Sequence, residues 1–153
     1  YKRQEGDGMI CAYSYFEEID SPANKDFVAR FKARMGADAP ALNELAARSY
    51  EGAYLWAEAV KAAGTTDRMP VIEALRSGLG IDGRSGRVEI EPNTNHALQN
   101  VYFAELKDQS FNIIETYESQ PPSDTLLVCD LVADPNQSVF KFENGLKAAG
   151  IDI

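Results

Sequence analysis

The order of patterns between residues 9 and 90 constrains this chain most: one strand, three consecutive helices, then another strand, with distinct helix-start and helix-stop residues between them. Met9-Ile10-Cys11-Ala12-Tyr13-Ser14-Tyr15-Phe16 is a continuous apolar and aromatic run bounded by Gly8 and the acidic pair Glu17-Glu18. Such a run reads as a strand buried on both faces, inside a sheet. Ser21 then offers an N-cap oxygen, and Pro22 fits the first helical position, where its missing N–H costs nothing. The helix that follows places Phe27, Val28, Phe31 and Met35 on one face and should stop at Gly36.

The longest helix is expected over residues 42–63. Leu45, Ala46, Ser49, Tyr50, Ala53, Trp56, Ala57 and Val60 recur every three or four residues and predict its packed face, leaving Glu51, Glu58 and Lys61 on the wet side. Gly64 ends it, and Asp67 is placed to cap a third helix with Pro70 at its third position, where the backbone donor is still an orphan. Val71, Ile72 and Leu75 supply that helix's apolar face until Gly78 and Gly80.

From Gly83 the period changes. Gly83-Arg84-Ser85-Gly86 invites comparison with an anion-binding nest and reads better as a tight turn into a strand in which Val88 and Ile90 alternate with Arg87, Glu89 and Glu91. Residues 98–107 and 111–117 flank the polar tetrad Lys107-Asp108-Gln109-Ser110 and predict a hairpin. After Pro121-Pro122, residues 125–132 are a last strand candidate, and Asp134-Pro135-Asn136-Gln137 opens a terminal helix. The class is α/β, without the repeated βαβ units of a doubly wound sheet.

At 153 residues the chain can bury enough surface for one domain. With 44% hydrophobic and 25% charged residues its composition is that of an ordinary globular protein. A net charge of -9 argues against nucleic acid as a partner, because that affinity rests on Lys and Arg neutralising phosphates. Cys11 and Cys129 lie in apolar runs; each fits a small buried hydrophobe, and a bridge between them would need an oxidising compartment.

The sequence holds no constellation that points to catalysis, to a metal or to a cofactor. His96 is the only histidine, in the loop Pro92-Asn93-Thr94-Asn95-His96, and reads as structural. Glu17-Glu18 and Glu89/Glu91 are poorly placed as acid/base pairs. Tyr13, Tyr15 and Phe16 leave two readings open: rings packed in the core with a hydroxyl on a local acceptor, or rings at a cleft edge closing over a small ligand.

Gly8-Met9, Tyr15-Phe16, Ile19-Asp20-Ser21-Pro22-Ala23-Asn24, Phe27-Val28-Ala29-Arg30-Phe31-Lys32, the Ser49-Tyr50-Glu51-Gly52-Ala53-Tyr54 helix, Ala63-Gly64-Thr65-Thr66-Asp67, Gly86-Arg87-Val88-Glu89-Ile90 and Asn95-His96 occur in one order. In that order the chain resembles the type 1 periplasmic solute-binding proteins of ABC importers, in the branch that binds urea, short-chain amides or branched-chain amino acids. The resemblance implies an α/β fold of two Rossmann-like lobes, each a three-layer α/β/α sandwich, of which this chain matches the C-terminal portion. Residues 1–15 would then supply a strand of the C-terminal lobe, 16–97 the helical part of the N-terminal lobe, and 98–153 a hairpin returning to the C-terminal lobe with a terminal strand and helix.

It further implies a non-enzymatic protein that captures a small polar ligand between its lobes and delivers it to a membrane permease, from the periplasm. A cytoplasmic amide-sensing regulator of the same fold is the alternative. By resemblance Tyr13, Ser14, Tyr15 and Phe16 border the cleft, and Glu44 stands where the urea-like branch carries an acidic residue able to accept from an amide N–H. The remaining N-terminal part of such a protein is the expected partner of these helices, so large apolar faces on the Tyr50/Trp56 helix should stand uncovered in this chain by itself.

Overall fold

Three helices form where local signals start and stop them. The computed structural model describes residues 6–36 and 38–121. A short strand β1 (Ile10–Tyr13) precedes α1 (Pro22–Met35), α2 (Glu44–Ala63) and α3 (Arg68–Arg76), and the strands β2 (Gly80–Gly83), β3 (Gly86–Ile90), β4 (Ala97–Lys107) and β5 (Ser110–Gln120) follow. Ser21 caps α1 by accepting from Asn24 N–H, with Pro22 in first position, and Gly36 closes the helix at φ 91°. Asn43 caps α2 and Gly64, in the left-handed region, ends it. Asp67 stands at the α3 N-cap position without a side-chain capping bond.

The sheet is built on β4. Most of its length pairs antiparallel with β5 through the two-residue turn Asp108-Gln109, whose φ values of 49° and 71° give the twist that suits a tight hairpin. On the opposite side β1 pairs with residues 102–105, from Ile10↔Glu105 to Tyr13↔Tyr102. β3 pairs with Leu98 and Ala97, and β2 with β3. The β4–β5 register shifts between Gln99 and Val101. There Asn100 accepts from Ser119 N–H (2.9 Å) and donates to the Tyr102 hydroxyl (3.2 Å), in the manner of a bulge stabilised by its own side chain.

Three expectations are corrected. The run from Met9 was read as an interior strand buried on both faces; only Ile10–Tyr13 is strand, among the described residues it pairs with β4 alone, and Ile10 and Tyr13 are exposed. The buried part is the tail of the run, Ser14, Tyr15 and Phe16, which has left the ladder. β2 was not foreseen, because glycines bound the four residues Gly80-Ile81-Asp82-Gly83 and only Ile81 among them is large and apolar. The third correction concerns the face of α2. Ala47, Glu51, Leu55 and Ala59 are its buried residues, while Leu45 and Trp56 stand 76% and 53% exposed. The Leu45/Trp56 stripe is largely open to solvent, as expected of the Tyr50/Trp56 face in this chain by itself, though Tyr50 does pack, at 4.8 Å from the Phe27 ring; the correction is Glu51, buried where a wet side was read.

Two apolar clusters result. Tyr15, Phe16, Ile19, Phe27, Leu42, Ala47, Tyr102 and Ala104 join the first turns of α2 to α1 and the sheet. Leu55, Ile81 and Val88 join its later turns to β2 and β3, with Leu75 of α3 packed against them. Between the clusters lies Glu51, 1% exposed. One of its oxygens pairs with Arg48 Nη1 at 2.5 Å and the other accepts from Arg84 N–H at 2.5 Å, in the β2–β3 turn. That turn does meet an anion, and the anion is internal. Gly83 is required beside it, since a Cβ there would lie 2.5 Å from Glu51 Oε1. Burial of a carboxylate is sustainable here because both oxygens are paired.

The first cluster has its own polar element. Tyr15 donates to Asn24 Oδ1 at 2.8 Å, and Asn24 Nδ2 in turn donates to the carbonyls of Glu17 and Ile19, both at 2.9 Å. Burial, helped by the nearby carboxylates of Glu17, Glu51 and Glu18, holds the Tyr15 hydroxyl well above the ordinary tyrosine range. Residues 125–132 and the expected terminal helix, with Cys129 and hence the bridge to Cys11, fall outside the described residues; Cys11 packs partly buried against the first cluster.

Two outcomes are expected in denaturation experiments. Glu51→Ala strands Arg48 and the turn N–H and should cost about 3–5 kcal/mol, whereas Asp26→Ala, which breaks the exposed pair with Arg30, should stay within about 1 kcal/mol; equal losses would refute the buried-pair account. Tyr15→Phe leaves Asn24 Oδ1 without its donor and should cost about 1–3 kcal/mol. Because the folded hydroxyl keeps its proton longer than the unfolded one, stability contributed at neutral pH falls away as pH rises above about 10, and Tyr15→Phe should remove that part of the alkaline decline.

Candidate functional site

Asn43, by accepting from Ala46 N–H at 3.0 Å, starts α2 so that Glu44 is its first residue, where a carboxylate is favoured by the helix N-terminus. Arg48 follows one turn later on the same face. Between them they hold Ser14, the residue just past β1. Glu44 Oε1 accepts from Ser14 N–H (2.7 Å) and from its hydroxyl (2.5 Å). Arg48 Nε donates to Ser14 Oγ at 2.8 Å, while Nη2 donates to the Ser14 carbonyl and, at 2.6 Å, to Ser85 Oγ.

Beside this clamp opens a cavity of about 440 Å³ to which Tyr13, Tyr15, Phe16, Glu44, Leu45 and Phe111 contribute. The geometry thus brings the four residues singled out in the sequence, Tyr13, Tyr15, Phe16 and Glu44, around one space. Their roles in it differ. Tyr13 is 49% exposed, with its ring edge-on to Phe16 at 5.7 Å. Phe16 packs on Phe111 at 5.0 Å. Tyr15 is 2% exposed with its hydroxyl on Asn24, so it offers the cavity ring surface and no polar group.

The cavity is acidic. Glu17 and Glu18 line it as well. Glu17 is committed to Lys32 and to Leu42 N–H (2.6 Å), and Glu18 Oε1 accepts from Phe111 N–H (3.2 Å) and Ser110 Oγ (3.4 Å). Glu44 Oε2 takes part in no hydrogen bond among the described residues. A wall of aromatic rings with a carboxylate oxygen to spare can seat a small ligand that has an apolar body and an N–H donor.

Sequence reasoning did not single out Asn24, Arg48, Glu51 or Ser85. The signal was present for two of them: Arg48 and Glu51 follow Glu44 at i+4 and i+7 and put alternating charges on one helical face. His96 sits in its loop with Nδ1 2.9 Å from the Thr94 carbonyl, and Glu91 binds Thr94 through both N–H and hydroxyl. Among the described residues no group of three or more His, Cys, Asp or Glu could hold a metal ion, and no helix is long and apolar enough to cross a membrane.

Comparison with known proteins adds the family. A solute-binding protein of an ABC transporter from Rhodopseudomonas palustris HaA2, solved in complex with p-hydroxybenzoic acid, is 32% identical with a TM-score of 0.66, over 76% of this chain and 32% of that one. Leu/Ile/Val-binding protein homolog 6 of Brucella abortus is 27% identical over 74% of this chain and 30% of its own length. A protein of Geobacillus stearothermophilus named limonene hydroxylase is 28% identical over 85% of this chain and 24% of its own. The chain thus spans about a quarter to a third of the length of these proteins. The periplasmic binding protein family matches residues 1–110, and this chain belongs to the type 1 periplasmic binding proteins.

Proposed function

We propose that this chain is part of the solute-binding component of an ABC importer, a non-enzymatic periplasmic protein that closes on a small ligand and presents it to a membrane permease. Residues 1–15 and 98–153 belong in this reading to one lobe and 16–97 to the other. The placement of the cavity supports it: Tyr13, Glu44 and Phe111, one residue from each of the three segments, line the same space. A ligand there would lie at the seam where closure makes its contacts.

For the ligand we favour urea, a short-chain amide or a branched-chain amino acid, held by an N–H donor on Glu44 with Tyr13, Tyr15 and Phe16 along its apolar part. The observation that carries this is the spare Glu44 oxygen in an aromatic cavity of about 440 Å³, a size suited to small molecules. The name of the Brucella relative is in keeping with an aliphatic amino acid. The p-hydroxybenzoic acid of the Rhodopseudomonas protein is an aromatic acid; it has no N–H donor to offer Glu44, which disfavours it here.

Thermal-shift titration of the protein encoded by the complete gene tests both levels. Urea, acetamide or leucine should raise the melting temperature in a concentration-dependent way and 4-hydroxybenzoate should not. Glu44→Gln should weaken binding of the responding compound by about tenfold or more, the loss of a charge-assisted hydrogen bond. A shift with 4-hydroxybenzoate alone would overturn the ligand class, and unchanged affinity in Glu44→Gln would remove Glu44 from the site.

A further inference from the structure

We infer that Ser14 and Arg48 are positioning residues that aim Glu44 at the cavity and thereby set its preference for ligands carrying an N–H donor. The inference rests on the reading of Glu44 as the ligand's acceptor and goes on to say what fixes its direction.

A serine hydroxyl has one proton to give and lone pairs with which to accept. At Ser14 the accepting side is occupied by Arg48 Nε–H at 2.8 Å. Its one proton is thus directed to Glu44 Oε1, 2.5 Å away, and the Ser14 N–H reaches the same oxygen at 2.7 Å. Two donors occupy Oε1, while Oε2, on a side chain that lines the cavity, takes no hydrogen bond among the described residues. Ser14 itself cannot turn away: its N–H, carbonyl and hydroxyl are all engaged, and it is 4% exposed.

Arg48 could in principle pair with Glu44 directly, one turn away, and cancel the charge that selects the ligand. Glu51 prevents this. Buried at 1% exposure, it takes Arg48 Nη1 at 2.5 Å, and Ser85 Oγ takes Nη2 at 2.6 Å, so the guanidinium is drawn toward the β2–β3 turn. What reaches Glu44 is a hydroxyl and an amide, which orient the carboxylate without neutralising it. Lysine cannot replace arginine in this arrangement, because four acceptor atoms on three residues are met by one planar fork.

The test compares two probes in the protein encoded by the complete gene: leucine, and 4-methylpentanoate, which is leucine without the amino group. Affinities are measured by calorimetry, and the quantity read is their ratio. A merely structural role for Ser14 would weaken both probes alike and leave the ratio unchanged. Ser14→Ala is expected to lower the preference for leucine by about tenfold, the worth of one hydrogen bond to a charged group. Arg48→Lys, which keeps a cation for Glu51, carries the same expectation and serves if Ser14→Ala does not fold. In a Glu44→Gln background Ser14→Ala should change the ratio no further, because it acts through the group already altered.

An unchanged ratio in both single variants, with leucine still bound by the unaltered protein, overturns the inference and leaves the ligand class standing. Further loss in the double variant also overturns it. Failure of the unaltered protein to prefer leucine over 4-methylpentanoate overturns the reading of Glu44 together with the inference.

Discussion

The rest of the structure depends on the buried ion pair between Arg48 and Glu51. It sits between two apolar clusters that both draw on α2 and β4, and its hydrogen bonds join α2 to the β2–β3 turn through Arg84 N–H and Ser85, and to the end of β1 through Ser14. Two charges removed from water are costly, and their mutual attraction offsets that cost only when the remaining polar atoms are also paired. Here they are, on backbone as well as on side chains. The pair thus does more to specify how three elements meet than to add net stability, since an apolar replacement of all the groups together could be as stable while fixing none of their directions.

That constraint explains how far the fold was legible in the sequence. Ser21-Pro22, Gly36, Gly64 and the Asp108-Gln109 turn act within a few residues of chain, so the signals for these starts, stops and the hairpin are local and the structure places them as read. The face of α2 is a different kind of question. Hydrophobic spacing favoured Leu45, Ala53 and Trp56 over Glu51, and the opposite is found because Arg48 and the turn around Arg84, distant in sequence, supply partners for a buried carboxylate. Periodicity counts apolar residues and is blind to a charge that has been satisfied. The same blindness hid β2, whose Gly83 admits Glu51 and whose only large apolar residue packs with Leu55 and Val88.

Of the candidate site, the residue types could be read and their division of labour could not. Tyr13, Tyr15 and Phe16 are consecutive or nearly so, yet leaving the strand at Ser14 sends Tyr15 into the core onto Asn24 while Tyr13 remains at the surface. The reading of a core ring with a local acceptor applies to Tyr15, while Tyr13 is an exposed ring beside the cavity where we propose that it meets a ligand. The exposed Trp56 and Leu45 on the other face of α2 accord with a chain that spans about a third of its relatives' length. Ser14 is at once the point where the sheet hands over to the helices and the residue that holds Glu44, the acceptor we propose for a ligand.

The most direct measurement is a crystal structure of the protein encoded by the complete gene, grown with the compound that stabilises it most among urea, acetamide and leucine. The account requires a ligand nitrogen within hydrogen-bond distance of Glu44 Oε2, Ser14 Oγ still on Oε1, and Arg48 still on Glu51. A ligand seated away from Glu44, or Glu44 turned from Ser14 to pair with Arg48, would contradict it.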